Sequence, residues 1–183
     1  MTQTDMLISI SNFLDKFKVT HCLMFGTLLG VVRDKDFIPW DKEDIDLGIF
    51  TQFWKDDLIW DDFNISLNNM GYRVRDMAYN YMCIDNHTNL HVDLYLLLDQ
   101  PKSYEIKVTG VIASFPKEDF DTLDRLNFKG KDFLVPHNPE EHLAHNYGPD
   151  WRSPKKDNSD YNRKPINNYK KITYTYIISE ELP

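Results

Sequence analysis

Residues 26–49 read GTLLGVVRDKDFIPWDKEDIDLGI, and their reading decides the fold. A small-residue turn, Gly26-Thr27, opens a helix beginning near Leu28, and Asp34-Lys35-Asp36 forms a loop. Ile38-Pro39-Trp40 then leads into an apolar strand over residues 44–50. In a strand, residues i and i+2 share a face, so Asp44 and Asp46 aim together while Ile45, Leu47 and Ile49 turn to the core. Charge inside an apolar strand is costly unless something compensates it. A second apolar stretch, HVDLYLLL from residue 91, carries Asp93 between Val92 and Leu94 and obeys the same strand logic. Three carboxylates converging from neighbouring strands form a donor set for hard divalent cations, Mg2+ or Mn2+. Such cations bind and polarise phosphate oxygens, so the pattern points to phosphoryl-type transfer.

Outward from this stretch, the chain alternates helical and strand periodicity. Met6, Ile10, Phe13, Leu14 and Phe17 predict an amphipathic helix over residues 4–17, followed by a strand over 21–25. Phe53, Trp54, Leu58, Ile59, Phe63 and Leu67 predict a helix over 51–69 that Gly71 ends. Strand-like runs follow at 72–78, 80–85, 90–98 and 105–115, and NFKGKDFLV (127–135) reads as a hairpin turning at Gly130. Asn138-Pro139-Glu140-Glu141 predicts a helix with an Asn cap, Pro in first position and a capping-box Glu, ending near Gly148. Residues 149–169 read as a loose loop, and 169–179 as either a last edge strand or disorder. No repeat or linker divides the chain. The expectation is one α+β domain over 1–183, a compact mixed sheet flanked by helices, with 155–183 as a loosely ordered tail.

Composition narrows the function classes. A length of 183 residues, 42% of them hydrophobic, supports a real core. The net charge of -8 argues against a protein that binds nucleic acid through its backbone, since that affinity comes from clustered Lys and Arg. Anionic substrates must instead be met locally, by metals and a few basic residues. Cys22 and Cys83 both lie in apolar runs and read as core thiols, too few for a zinc site. No run is long enough to span a membrane and the polar start MTQTD is no secretion signal, so the expectation is a soluble cytoplasmic protein.

GTLLGVVRDKDFIPWDKEDIDLGI resembles the signature of the LicD family, which includes the fukutin-like proteins and looks like a branch of the DNA polymerase beta-like nucleotidyltransferase superfamily. The superfamily pattern is a Gly-Ser or Gly-Thr turn, an acidic pair in the next strand and a third acid in a later strand. Here those features are Gly26-Thr27, Asp44 with Asp46, and Asp93. The resemblance continues at FPKEDF (115–120), NFKGKDFLVPHNPEEHL (127–143) and YGPDW (147–151). One departure stands out: the family's acidic run follows its Pro-Trp pair directly, whereas Lys42 and Glu43 separate Asp41 from Asp44. The zinc-binding insertion of some fukutin-like proteins is also missing.

The resemblance implies transfer of a substituted phosphate, such as phosphocholine or ribitol phosphate, from a CDP-linked donor to a glycan hydroxyl, releasing CMP. Asp44, Asp46 and Asp93 would be the catalytic and metal-holding residues, and Gly26, Thr27, Arg33 and Asp41 would meet the donor. Nucleotidyl transfer from an NTP to a small acceptor uses the same acids, and a non-catalytic binding protein is a third reading. Each residue also has a plainer reading. Asp-x-Asp is common in a chain with 29 acids, Gly26 could be turn chemistry, and Arg33 could be a solvated charge or pair with a nearby aspartate. His91 shares a face with Asp93 but reads as a hydrogen-bonded bystander. His137, His142 and His145 read as surface or substrate-rim residues, and Trp40 and Trp151 as packing.

Overall fold

The computed structural model describes residues 1–50, 57–76, 80–108, 111–155 and 173–176. The chain opens with helix α1 (Gln3–Lys16), strand β1 (His21–Leu23), helix α2 (Phe25–Arg33) and strand β2 (Asp44–Phe50). Helix α3 (Asp57–Asn69) follows, then β3 (Tyr72–Asp76), β4 (Asn80–Asp85), β5 (His91–Asp99), β6 (Ser103–Val108) and β7 (Val111–Pro116). A 3-10 turn at Lys117–Asp119 leads to β8 (Leu123–Phe128), β9 (Lys131–Pro136), α4 (Pro139–Tyr147) and β10 (Thr173–Tyr176). The expected residues 51–56, 77–78 and 109–110, and all but residue 155 and β10 of the expected tail, lie outside the described residues.

The sheet is mixed, as its sequence predicts. Its order is β1-β2-β5-β6-β7-β10, with β4 also pairing β5 and β3 joined to β4. Strands β2 and β5 run parallel in the register Asp44↔His91, Asp46↔Asp93 and Gly48↔Tyr95, while the other described pairs are antiparallel. A parallel pair needs a long crossover, and α3, β3 and β4 lie between β2 and β5 in the chain.

Strand alternation divides the two faces. Ile45, Leu47, Ile49, Val92 and Leu94 are fully buried on one face, in a cluster with Met6, Leu7, Ile10 and Leu14 of α1. Helix α1 is held at its start by Thr2, whose hydroxyl accepts from the Asp5 N–H while the Asp5 carboxylate accepts from the Thr2 N–H. The other face carries the acids and a second cluster of Met24, Phe25, Phe50, Leu97, Phe115 and Phe120. Cys22 and Cys83 are free and buried, as expected of core thiols.

Four local expectations change. Helix α2 starts at Phe25, not near Leu28, because Phe25 itself takes a left-handed φ of 41° and Gly26 already lies within the helix. The expected strand 105–115 is two paired strands, β6 and β7, with Thr109-Gly110 between them in sequence. The hairpin β8–β9 does turn at Lys129-Gly130, both with positive φ, and its arms reach back to Leu123 and on to Pro136. Asn138 precedes α4 in a left-handed conformation with no side-chain cap; its N–H donates instead to Asp124 Oδ2 at 2.9 Å.

Helix α2 is pressed against the segment that leads into the acidic strand. A β-carbon at Gly30 would lie 2.7 Å from the Asp36 carbonyl oxygen and 3.0 Å from the Ile38 nitrogen, both backbone atoms that cannot swing aside. Gly30→Ala is therefore expected to cost about 1–3 kcal/mol of stability, as overpacking does. Urea unfolding should show a lower midpoint at unchanged slope, and an unchanged midpoint would refute this packing account.

Candidate metal centre

The parallel register sets Asp46 beside Asp93, and Asp44 lies one same-face step from Asp46. Each of the three offers a carboxylate oxygen within 4.8 Å of the other two. Asp46 is buried, and Asp44 and Asp93 are half-buried. Among the described residues, Asp44 Oδ1 and Asp93 Oδ1 are buried without a hydrogen bond, although Asp44 Oδ1 has the His91 ring 3.5 Å away. Orphaned acceptors of this kind are costly, and hard oxygen donors in this number fit a divalent cation such as Mg2+ or Mn2+.

The start of α2 fixes the most buried acid. The Thr27 hydroxyl accepts from the Asp46 N–H at 2.8 Å, and the Thr27 N–H donates to Asp46 Oδ2 at 3.2 Å. A backbone bond from Met24 N–H to the Asp46 carbonyl adds a third tie. Gly26 serves space rather than conformation: its φ is not positive, and a β-carbon there would lie 3.1 Å from Asp46 Oδ2 and 3.2 Å from Asp41 Oδ2. Asp41 thus stands beside the same opening, despite the two residues that displace it in sequence.

Other neighbours frame the triad. His91 lies across from Asp44, its Nε2 3.5 Å from Asp44 Oδ1 and its Nδ1 3.1 Å from the Asn89 carbonyl. Tyr95 donates its hydroxyl to Asp93 Oδ2 at 3.2 Å and packs edge-on against Phe25. Sequence reading passed over Tyr95, although its position two residues after Asp93 placed it on the acidic face. Arg33 forms a two-pronged ion pair with Asp34, at 2.8 Å from Nε and 2.7 Å from an Nη, and its side chain is only 4% exposed. That is the paired reading of Arg33.

Of the three histidines read as rim residues, His142 is inside the protein. It is 1% exposed, its Nδ1 lies 2.8 Å from Asp119 Oδ2, and its ring stacks on Phe115 and meets Phe120 edge-on. The helix α4 turns His142, Leu143 and Asn146 inward, so FPKEDF and HNPEEHL meet in space. His137 remains exposed, 3.3 Å from Asp124, and His145 lies 3.7 Å from Glu141. Trp40 packs on the core as expected, and Trp151 is buried with the Arg152 guanidinium 4.2 Å above its ring.

Residues 18–138 match the family described as LicD/FKTN/FKRP, nucleotidyltransferase domain. The chain belongs to this family. It is 29% identical over 162 residues to the Ribitol-5-phosphate transferase FKTN of Macaca fascicularis, and equally to that of Homo sapiens. Each alignment covers 84% of this chain and 34% of the relative, so the chain spans about a third of the length of these curated relatives. Among solved structures it resembles the antibiotic-resistance factor ANT(2'')-Ia, with a TM-score of 0.53 and 15% identity over 89% of this chain and 83% of that one. The last likeness is one of fold. No helix among the described residues is long and apolar enough to cross a membrane.

Crowded acids in a partly dry site hold their protons. Burial raises Asp46 well above the ordinary 3.8, with the neighbouring Asp44 and Asp93 adding to the rise and the Thr27 N–H opposing it. Burial, then Asp93, raises Asp44; burial raises Asp93 against the Tyr95 hydroxyl; burial, then Asp44, raises Asp41 to about 6. A folded-state value above the unfolded one means that the folded protein binds more protons between the two. The stability contributed is present below about 3.8 and is lost as pH rises through the raised values, near 6 for Asp41. Metal-free protein should therefore lose melting temperature between pH 4 and 7 on this account, and Asp46→Asn should flatten the loss. At pH 7.5, saturating Mg2+ should raise the melting temperature of the unsubstituted protein by several degrees and that of Asp46→Asn by much less. Equal shifts in both proteins would show that the cation binds elsewhere.

Proposed function

We propose that this chain is a metal-dependent transferase of a substituted phosphate, moving a group such as ribitol phosphate or phosphocholine from a CDP-linked donor to a glycan hydroxyl. The observation that carries this reading is the convergence of three carboxylates on adjacent strands, within 4.8 Å of one another, with Asp93 Oδ1 buried and unbonded. Membership of the LicD/FKTN/FKRP family supports the choice of reaction, and the two ribitol-5-phosphate transferases it resembles support the transferred group.

Asp44, Asp46 and Asp93 would hold Mg2+, with Mn2+ as an alternative. The bound ions would supply charge to the donor's diphosphate and stabilise both the attacking and the leaving oxygen. Thr27 keeps the Asp46 carboxylate aimed, and Gly26 leaves room beside Asp46 and Asp41 for the donor to approach. In the transfer, the acceptor hydroxyl oxygen bonds to the phosphorus distal to the nucleoside. The bond from that phosphorus to the bridging oxygen breaks, CMP leaves with the bridging oxygen, and the hydroxyl proton is released. Asp93 positions the attacking hydroxyl from the strand beside Asp46.

The leaving group distinguishes this reaction from nucleotidyl transfer, which would release pyrophosphate from an NTP. Slow hydrolysis can be measured without the natural acceptor, because water can take the hydroxyl's place. We expect Mg2+-dependent CMP release from at least one of CDP-ribitol, CDP-choline and CDP-glycerol, lowered at least about 100-fold, roughly the loss of one strong electrostatic contribution, in Asp93→Asn. Pyrophosphate release from CTP that depends on Asp44 and Asp46, with no CMP from the CDP-alcohols, would assign the chain to nucleotidyl transfer. Failure of every CDP-alcohol to bind would remove the donor class.

A further inference from the structure

Two of the three carboxylates present only part of themselves to the opening. Asp46 has Oδ2 tied by the Thr27 N–H at 3.2 Å, and Asp93 has Oδ2 tied by the Tyr95 hydroxyl at 3.2 Å while its Oδ1 stays without a donor. The Thr27 tie uses backbone and is available to any residue in that helical position. The Tyr95 tie depends on one hydroxyl group, which a phenylalanine would lack. Its ring is held in place independently of the acids, edge-on to Phe25 with centroids 4.9 Å apart.

The consequence is coordination chemistry. A protein donor on one oxygen of a carboxylate takes up one of its lone pairs and disfavours clasping a cation with both oxygens, whereas a free carboxylate clasps more readily. Mg2+ demands near-ideal octahedral geometry with short bonds, which single-oxygen contacts suit. Ca2+ is larger, takes more oxygens and readily accepts two from one carboxylate. We propose that Tyr95 is a selectivity-determining residue of this centre: by occupying Asp93 Oδ2 it keeps Asp93 a one-oxygen ligand and biases the site toward Mg2+ over Ca2+. The inference rests on the reading of the acids as a metal centre, and it assigns to Tyr95 a role distinct from contact with substrate.

The experiment measures cation affinity, not turnover. Mg2+ and Ca2+ dissociation constants are obtained by titration calorimetry at pH 7.5 for the unsubstituted protein, Tyr95→Phe and Asp93→Asn. Removing the hydroxyl while keeping the ring should move the Mg2+-to-Ca2+ preference toward Ca2+ by about tenfold, the scale of one hydrogen bond to a charged group. An unchanged preference in Tyr95→Phe, with both cations weakened in Asp93→Asn, overturns the role of Tyr95 and leaves the metal centre standing. If neither cation binds the unsubstituted protein, or Asp93→Asn binds both as tightly, the metal centre itself is wrong and this inference falls with it.

Discussion

The parallel pairing of β2 with β5 is the constraint on which the rest of the structure depends. Shifting that register by one residue would turn Asp93 toward the core and bring Val92 or Leu94 beside Asp46, since alternate residues occupy opposite faces. The register is held mainly from the apolar side, where Ile45, Leu47, Ile49, Val92 and Leu94 are packed without exposure against α1. The acids themselves oppose the arrangement: burial and mutual repulsion make them costly to ionise there. Apolar packing on one face thus holds a strained electrostatic arrangement on the other, an imbalance that a bound cation would relieve.

Thr27 shows how this strain is contained. Through its hydroxyl and its N–H it meets both the backbone and the side chain of Asp46, so the most buried acid is fixed by two bonds from one residue of the neighbouring helix. The helix that presents Thr27 begins on Phe25, in a left-handed conformation that a β-carbon disfavours by about 1–2 kcal/mol. Phe25 is kept there by Tyr95 and Phe115, whose rings lie 4.9 and 6.3 Å from its own. Backbone strain at the mouth of a site is sustained when the surroundings over-determine it, and aromatic packing provides that here.

The central strands and the acidic set were legible in the sequence because both depend on period-2 alternation with charge at fixed positions. Gly26 was legible as important but for another reason than turn chemistry: without neighbours in space, nothing marks it as making room for Asp41 and Asp46. His142 was misread because its burial depends on Asp119, Phe115 and Phe120, which lie more than twenty residues away and give no local periodic signal. Asn138 misled because its cap-like neighbourhood is occupied by a tertiary bond to Asp124. Strands β6 and β7 merged in the sequence because one glycine was outweighed by strand-like alternation that continues on both sides of it. Contacts distant in sequence decided each of these cases.

Strand β5 is forked along one edge. Its first half pairs with β4 from His91 to Tyr95, and its end pairs with β6 at Leu98 and Asp99. The half that carries Asp93 therefore belongs to one arm, and the β6–β7–β10 wing hangs from the other. Changes in length or sequence within that wing need not disturb the register of β2 against the first half of β5. Loops and outer strands tolerate such variation at small entropic cost. The fork lets the outer strands vary without re-registering the acids, except at Phe115, whose ring on β7 still braces Phe25 at the start of α2.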